Sequence, residues 1–265
     1  MSFDLHPGRH LRLLGHLLRI RLREGSPRHY AEHWDSYWRS IHRTGPEGEV
    51  LWDADPERAM ADDLPRLLRW FEPTLPVVDV GCGNGSESRL LARRFLRVVG
   101  VDVSIAAVER ARRESVGVDG CEFRRLDATN PASARALHDE LGDANLYVRG
   151  VFHALAERDR PAFVASLRAL AGANGTVYLV ELGRGLLPVF EEFAAAEGEI
   201  LPAAVERVIE HGLRPVGFAV SERTRWFPLA EWEVLDEGTA IIRTLPLGGR
   251  VRDLPAAYLV IRPIQ

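Results

Sequence analysis

Lysine is absent from the 265-residue chain, and all 34 basic residues are arginine. Few mechanisms require that exclusion, so it reads first as the coding bias of a GC-rich bacterial genome. Cysteine is nearly absent too. Cys82 and Cys121 are too few for a disulfide framework, and Cys82 lies in a glycine-rich loop that a crosslink would distort. A reducing, cytoplasmic setting is expected. Net positive charge is also missing. A formal charge of −4 and a pI near 6.2 speak against a nucleic-acid binder that works through a general basic surface, leaving a small or neutral ligand as the better fit. No apolar run reaches membrane-spanning length. The stretch Leu11 to Ile20 is interrupted by Arg12, His16 and Arg19, so neither a spanning helix nor a signal segment is expected there. His29 and His33 stand four apart, but no third ligand of suitable spacing accompanies them, and no metal is expected.

What is present belongs to an ordinary globular chain, with 46% hydrophobic and 27% charged residues. Residues 1–55 read as a helical cap. RHLRLLGHLLRIRLRE (9–24) approximates a basic amphipathic helix, and PRHYAEHWDSYWRSI (27–41) a second helix carrying Tyr30, Trp34, Tyr37 and Trp38. Trp34 and Trp38 share a face by their spacing of four. A third helix is expected from the N-cap Asp55 and Pro56 to Phe71, kinked or divided by Pro65.

After Pro76 short apolar runs alternate with helical patterns through TVYLVEL, giving five strands in a parallel α/β arrangement. Helices near LLPVFEEFAAA and AAVERVIEHG follow, then the strand candidates LRPVGFAV and AAYLVIRPI, which suit an antiparallel hairpin at one sheet edge. The expected domain therefore spans 56–265, with its core at 72–182. It is a Rossmann-like, mostly parallel seven-stranded sheet with helices on both faces.

The stretch VVDVGCGNGSES (77–88) runs an apolar strand into Asp79, Gly81, Cys82, Gly83 and Gly85 and then into a helix. A sharp turn beneath a nucleoside-like ligand needs positions without a Cβ. The G-x-x-G step of a dinucleotide site would require glycine where Ser86 stands, and with no lysine there is no Tyr-x-x-x-Lys pair, so a nicotinamide oxidoreductase is disfavoured. Asp102 ends the next strand, followed by Val103, at the distance where a carboxylate accepts from ribose hydroxyls. Asp127, with Ala128, closes the third strand candidate, where it suits an exocyclic adenine amine. With Asp79, Gly81, Gly83 and Gly85 in an acidic-x-G-x-G-x-G pattern, the core resembles class I S-adenosylmethionine (SAM) methyltransferases. The resemblance implies SAM as cofactor, S-adenosylhomocysteine (SAH) as product, and a cofactor site made of these residues with Cys82, Val103, Trp38 and Arg149.

The fourth strand, LYVRGVFHAL, followed by AERDRP, and the Trp34-x-x-x-Trp38 spacing resemble thiopurine and related thiol methyltransferases, although Val148 stands where those enzymes carry Asp. Arg149 suits an anionic acceptor or an acceptor thiolate, or an ion pair with Asp127 or Glu181. His153 suits a general base or a satisfied core histidine. Tyr30, His33, Trp34 and His153 are the expected acceptor-side residues, and the two tryptophans serve equally well to dock their helix. A small-molecule acceptor, a thiol or hydroxyl above others, is expected, with no nucleic-acid or membrane partner and a monomer or homodimer. The alternative is a SAM-binding protein on the same fold that does not methylate.

Overall fold

The computed structural model describes residues 28–183, 202–213, 218–247 and 250–265. The expected helices at 9–24 and at LLPVFEEFAAA lie outside them. Helix α1 (Arg28–Ser40) leads through a loop to α2 (Pro56–Ala59) and α3 (Asp63–Trp70). There follow β1 (Val77–Val80), α4 (Ser86–Leu91), β2 (Val98–Asp102), α5 (Ile105–Glu114), β3 (Cys121–Arg125), α6 (Pro131–Leu141) and β4 (Asn145–Arg149). A 3-10 turn at Phe152–Ala154 precedes α7 (Arg160–Ala171) and β5 (Val177–Leu182). The remaining elements are α8 (Ala203–Glu210), α9 (Arg223–Trp226), β6 (Trp232–Leu247) and β7 (Arg250–Pro263).

Local chemistry fixes the helix starts. Asp55 accepts from the Arg58 amide ahead of Pro56, Ser104 from Ala107, and Asn130 from Ala132 ahead of Pro131. The division of the third expected helix falls before Pro65, at residues 60–62. Pro65 lies in the first turn of α3, where its missing N–H is not required, so it breaks nothing.

The seven strands run in the order β3-β2-β1-β4-β5-β7-β6, with β1 to β5 parallel and β7 antiparallel to both of its neighbours. One expectation is overturned: LRPVGFAV does not supply the sixth strand. Phe218 and Ala219 are irregular, Val220–Glu222 is a 3-10 turn, and the sixth strand is Trp232–Leu247. A 16-residue strand with polar residues along it carries a weaker apolar signal than the short run LRPVGFAV.

The central parallel strands are covered on both faces, which is why they are largely apolar, whereas the edge strand β3 carries Glu122, Arg124 and Arg125. Val78, Val80, Val99, Val101, Leu146 and Val148 pack under α6 and α7, while Val77, Tyr147, Tyr178 and Val180 pack under α3 and α4. On that second face Tyr147, Tyr178 and Tyr258 stack in a row, with centroids 6.0 Å apart at each step. The chain direction reverses its sheet position between β1 and β4, opening a crevice at the carboxyl ends of the strands.

Candidate active site

The crevice holds a cavity whose floor is the glycine loop. Gly83 adopts φ +54°, and a Cβ there would come within 2.8 Å of the Trp38 ring, so the indole can close over the loop only above a glycine. Gly85 behaves differently from expectation. At φ +75° it starts α4, its Cβ would meet the Phe123 ring at 2.5 Å, and it does not line the cavity, so its role is close packing of α4 on β3.

Asp79, Gly81, Cys82, Gly83, Asp102, Val103, Asp127 and Ala128 all border the cavity, as do Trp38 and Arg149. Buried Asp102 accepts from the amides of Gly83 (3.0 Å) and Ser104 (2.9 Å). Burial outweighs those bonds and pushes its carboxyl up to about 6. Burial likewise pushes Asp79 up to about 7, against the hydroxyl of Ser88 that it accepts. Asp127 lies two residues past β3 and accepts from the Thr129 amide and hydroxyl at 2.8 and 2.6 Å.

On the other side of β1 the cavity is bordered by Tyr30, Trp34, Arg149 and His153, but not by His33, whose ring lies against Gly212 in the turn after α8. His153 is buried with Nδ1 2.7 Å from Oε2 of Glu181. Glu181, fully buried at the end of β5, also accepts from the amides of Val151, Phe152 and His153. An ion pair of Arg149 with Glu181 or Asp127 does not form: both terminal guanidinium nitrogens of Arg149 are buried without a hydrogen-bond partner.

Sequence reasoning missed Asp53, Asn84 and Glu87, which also border the cavity. Asn84 donates to Asp53 at 3.0 Å, and burial pushes Asp53 up to about 6. It missed the apolar far wall as well, where Leu51, Trp52, Leu182, Val208, Ile242 and Leu254 converge from separate segments. The acid that breaks the apolar run of β5 was a readable signal for Glu181, whereas the far wall had none.

The nucleoside end of this site suits SAM on chemical grounds. Asp102 offers a carboxylate for a vicinal diol, Asp127 a further acceptor, and Gly83 a point without a side chain under the Trp38 ring. Fold and site together define a Rossmann-like methyltransferase. Residues 77–175 match the family described as a methyltransferase domain. A SAM-dependent methyltransferase from Anabaena variabilis ATCC 29413 is 37% identical, covering 88% of this chain and 95% of that one, with a TM-score of 0.81. The chain belongs to the SAM-dependent methyltransferases and uses SAM as cofactor.

More distant is the ubiquinone biosynthesis O-methyltransferase of Leptothrix cholodnii, 26% identical over an alignment of 186 residues that covers 66% of this chain and 74% of that protein. A 23S rRNA (uracil(1939)-C(5))-methyltransferase, RlmD, of Alkalilimnicola ehrlichii is 40% identical over 83 residues. That match takes in 31% of this chain and 18% of RlmD, so this chain spans less than a fifth of that relative. Among the described residues no helix is long and apolar enough to cross a membrane.

Proposed function

We propose that the protein methylates a hydroxyl or thiol of a small, largely apolar acceptor, and that His153 takes the acceptor's proton at Nε2. The observation that carries this reading is the His153–Glu181 pair on the cavity wall. A carboxylate already holding three amides can only accept, so Nδ1 of His153 donates to it and Nε2 is left as the basic nitrogen. When bound, SAM supplies an electrophilic methyl group on a sulfonium.

The chain's own residues then have three tasks. Asp102 accepts from the ribose hydroxyls and Asp127 with Ala128 meets the adenine edge. Trp38, Asp79, Gly81, Cys82 and Gly83 enclose the remainder, with Val103 beside the ribose. Tyr30 and Trp34, on a cap spanning 1–55, and the apolar far wall exclude water and hold the acceptor in line, which is the main requirement of a displacement at carbon. The far wall is made of leucine, isoleucine, valine and tryptophan, which suits a compact apolar molecule better than a nucleic acid. The O-methylation carried out by the Leptothrix relative supports the hydroxyl. The reading requires no nucleic-acid or membrane partner and holds for a monomer or a homodimer.

Mass spectrometry with methyl-labelled SAM and a panel of phenols and thiols tests the reading. Labelled products from the wild type, with turnover falling at least about a hundredfold in His153→Gln while SAH binding persists, are expected for loss of a general base. SAH binding without any methylated product would favour the non-methylating alternative.

A further inference from the structure

Arg149 closes β4 on the sheet face of Tyr147, in register with Val180 of β5. Its two terminal nitrogens are shielded from solvent and bonded to nothing, yet it borders the cavity. A buried guanidinium left in that state is strongly unfavourable, because its charge has been desolvated without compensation. The neighbouring carboxylates are engaged elsewhere. Asp63 accepts from the hydroxyls of Tyr147 (3.1 Å) and Tyr178 (2.6 Å) and has Arg66 at 3.9 Å. Glu87 accepts from Ser86 at 2.6 Å, and Glu181 is committed to His153. Burial works against the charge of Arg149, but the surrounding Tyr147, Asp63, Glu87 and Tyr178 hold its pKa above the ordinary value, so it stays cationic.

The cavity around it divides by strand. The cofactor-side acids Asp102, at the end of β2, and Asp127, two residues past β3, stand across β1 from Arg149. Arg149 shares its face with Leu182, Ile242 and Leu254 of the apolar far wall, all of one core cluster with Tyr147. A planar fork of donors in an apolar chamber matches the two oxygens of a carboxylate.

We propose that the acceptor carries a carboxylate on its apolar body and that Arg149 binds it as a pair of parallel hydrogen bonds. This rests on the small-molecule reading above and narrows it to one class of acceptor. The pairing also sets orientation: a carboxylate anchored at β4 fixes which hydroxyl or thiol of the acceptor reaches His153, four residues further on.

The test is calorimetric titration of SAH-saturated protein with aryl and alkyl carboxylates and, in parallel, their neutral amides. Wild-type protein is expected to prefer a carboxylate over its amide by about tenfold or more, the usual size of a lost charge-assisted pair. Arg149→Gln should abolish the preference in protein kept saturated with SAH, and Arg149→Lys should restore part of it. Equal binding of acids and amides by the wild type overturns the proposal. So does a large loss of SAH affinity in Arg149→Gln, which would make the cofactor's own carboxylate the partner. Failure of the wild type to bind SAH at all would instead overturn the methyltransferase site itself, and is recognisable as such before any carboxylate is added.

Discussion

Asp79 and Asp102 have folded pKa values of about 7 and about 6 against 3.8 for an ordinary aspartate. Between 3.8 and those values the folded, ligand-free protein keeps protons that the unfolded chain has released. Their contribution to stability is therefore fully present below 3.8 and is lost as pH rises past about 7. Calorimetric melting should show the ligand-free protein weakening across that window, and Asp79→Asn should flatten the decline. Ribose hydroxyls donating to Asp102 favour its ionised form, so SAH binding should release protons and tighten as pH rises through about 6. Titration in two buffers of different ionisation enthalpy checks this, and Asp102→Ala should cost roughly 1–3 kcal/mol of SAH affinity. These acids were legible in the sequence, Asp79 as the acid inside β1 just ahead of the glycine loop and Asp102 as the last residue of β2. Asp53 was not: its partner Asn84 is 31 residues away, and only folding brings them together. Glu181 could be read as an acid at a strand end, but its choice of His153 over Arg149 is set by the 3-10 turn, which has no sequence signature.

Helix α1 is latched by several side-chain contacts, two sets of which tie it to the loop before α7 and to the start of α5. The Tyr30 hydroxyl donates to Asp159 (2.9 Å) and accepts from the Ala156 amide (2.7 Å), while Asp35 accepts from the Ser104 hydroxyl (2.6 Å) and the Ala106 amide (3.0 Å) at the start of α5. Asp35 thus caps α5 from outside it, and Asp35→Ala should lose about 1 kcal/mol of stability. Because Trp38 rides on the same helix, SAH affinity should fall as well, which thermal denaturation and titration can measure together. Gly83→Ala tests the other side of that contact. A left-handed alanine costs roughly 1–2 kcal/mol before any clash with the indole, so weaker SAH binding is expected even where the fold survives. The existence of these elements was readable from periodicity and caps. Their exceptions were not, since Pro65 is harmless only by its place in the first turn and β6 is recognisable only through its long pairing with β7.

For the molecule as a whole, the parallel α/β core followed from the alternation of strands and helices, but the position of β7 between β5 and β6 and the apolar far wall did not, the wall being assembled from five separate stretches of chain. Ile242 on that wall is a clean probe of it. Ile242→Trp should fill the far end of the cavity, abolishing turnover while SAH binding is kept, as titration and product analysis would reveal. The sheet order has one more effect. The last strand in the sequence, β7, is inserted between β5 and β6, so neither has its final neighbour until the end of the chain is available. During synthesis the glycine loop and its acids emerge well before Leu182, Val208, Ile242 and Leu254, which complete the cavity's far wall. A nascent chain released too early would present an open β5 edge, a template for pairing with other chains, which makes premature termination near Arg250 an aggregation hazard and not a mild shortening.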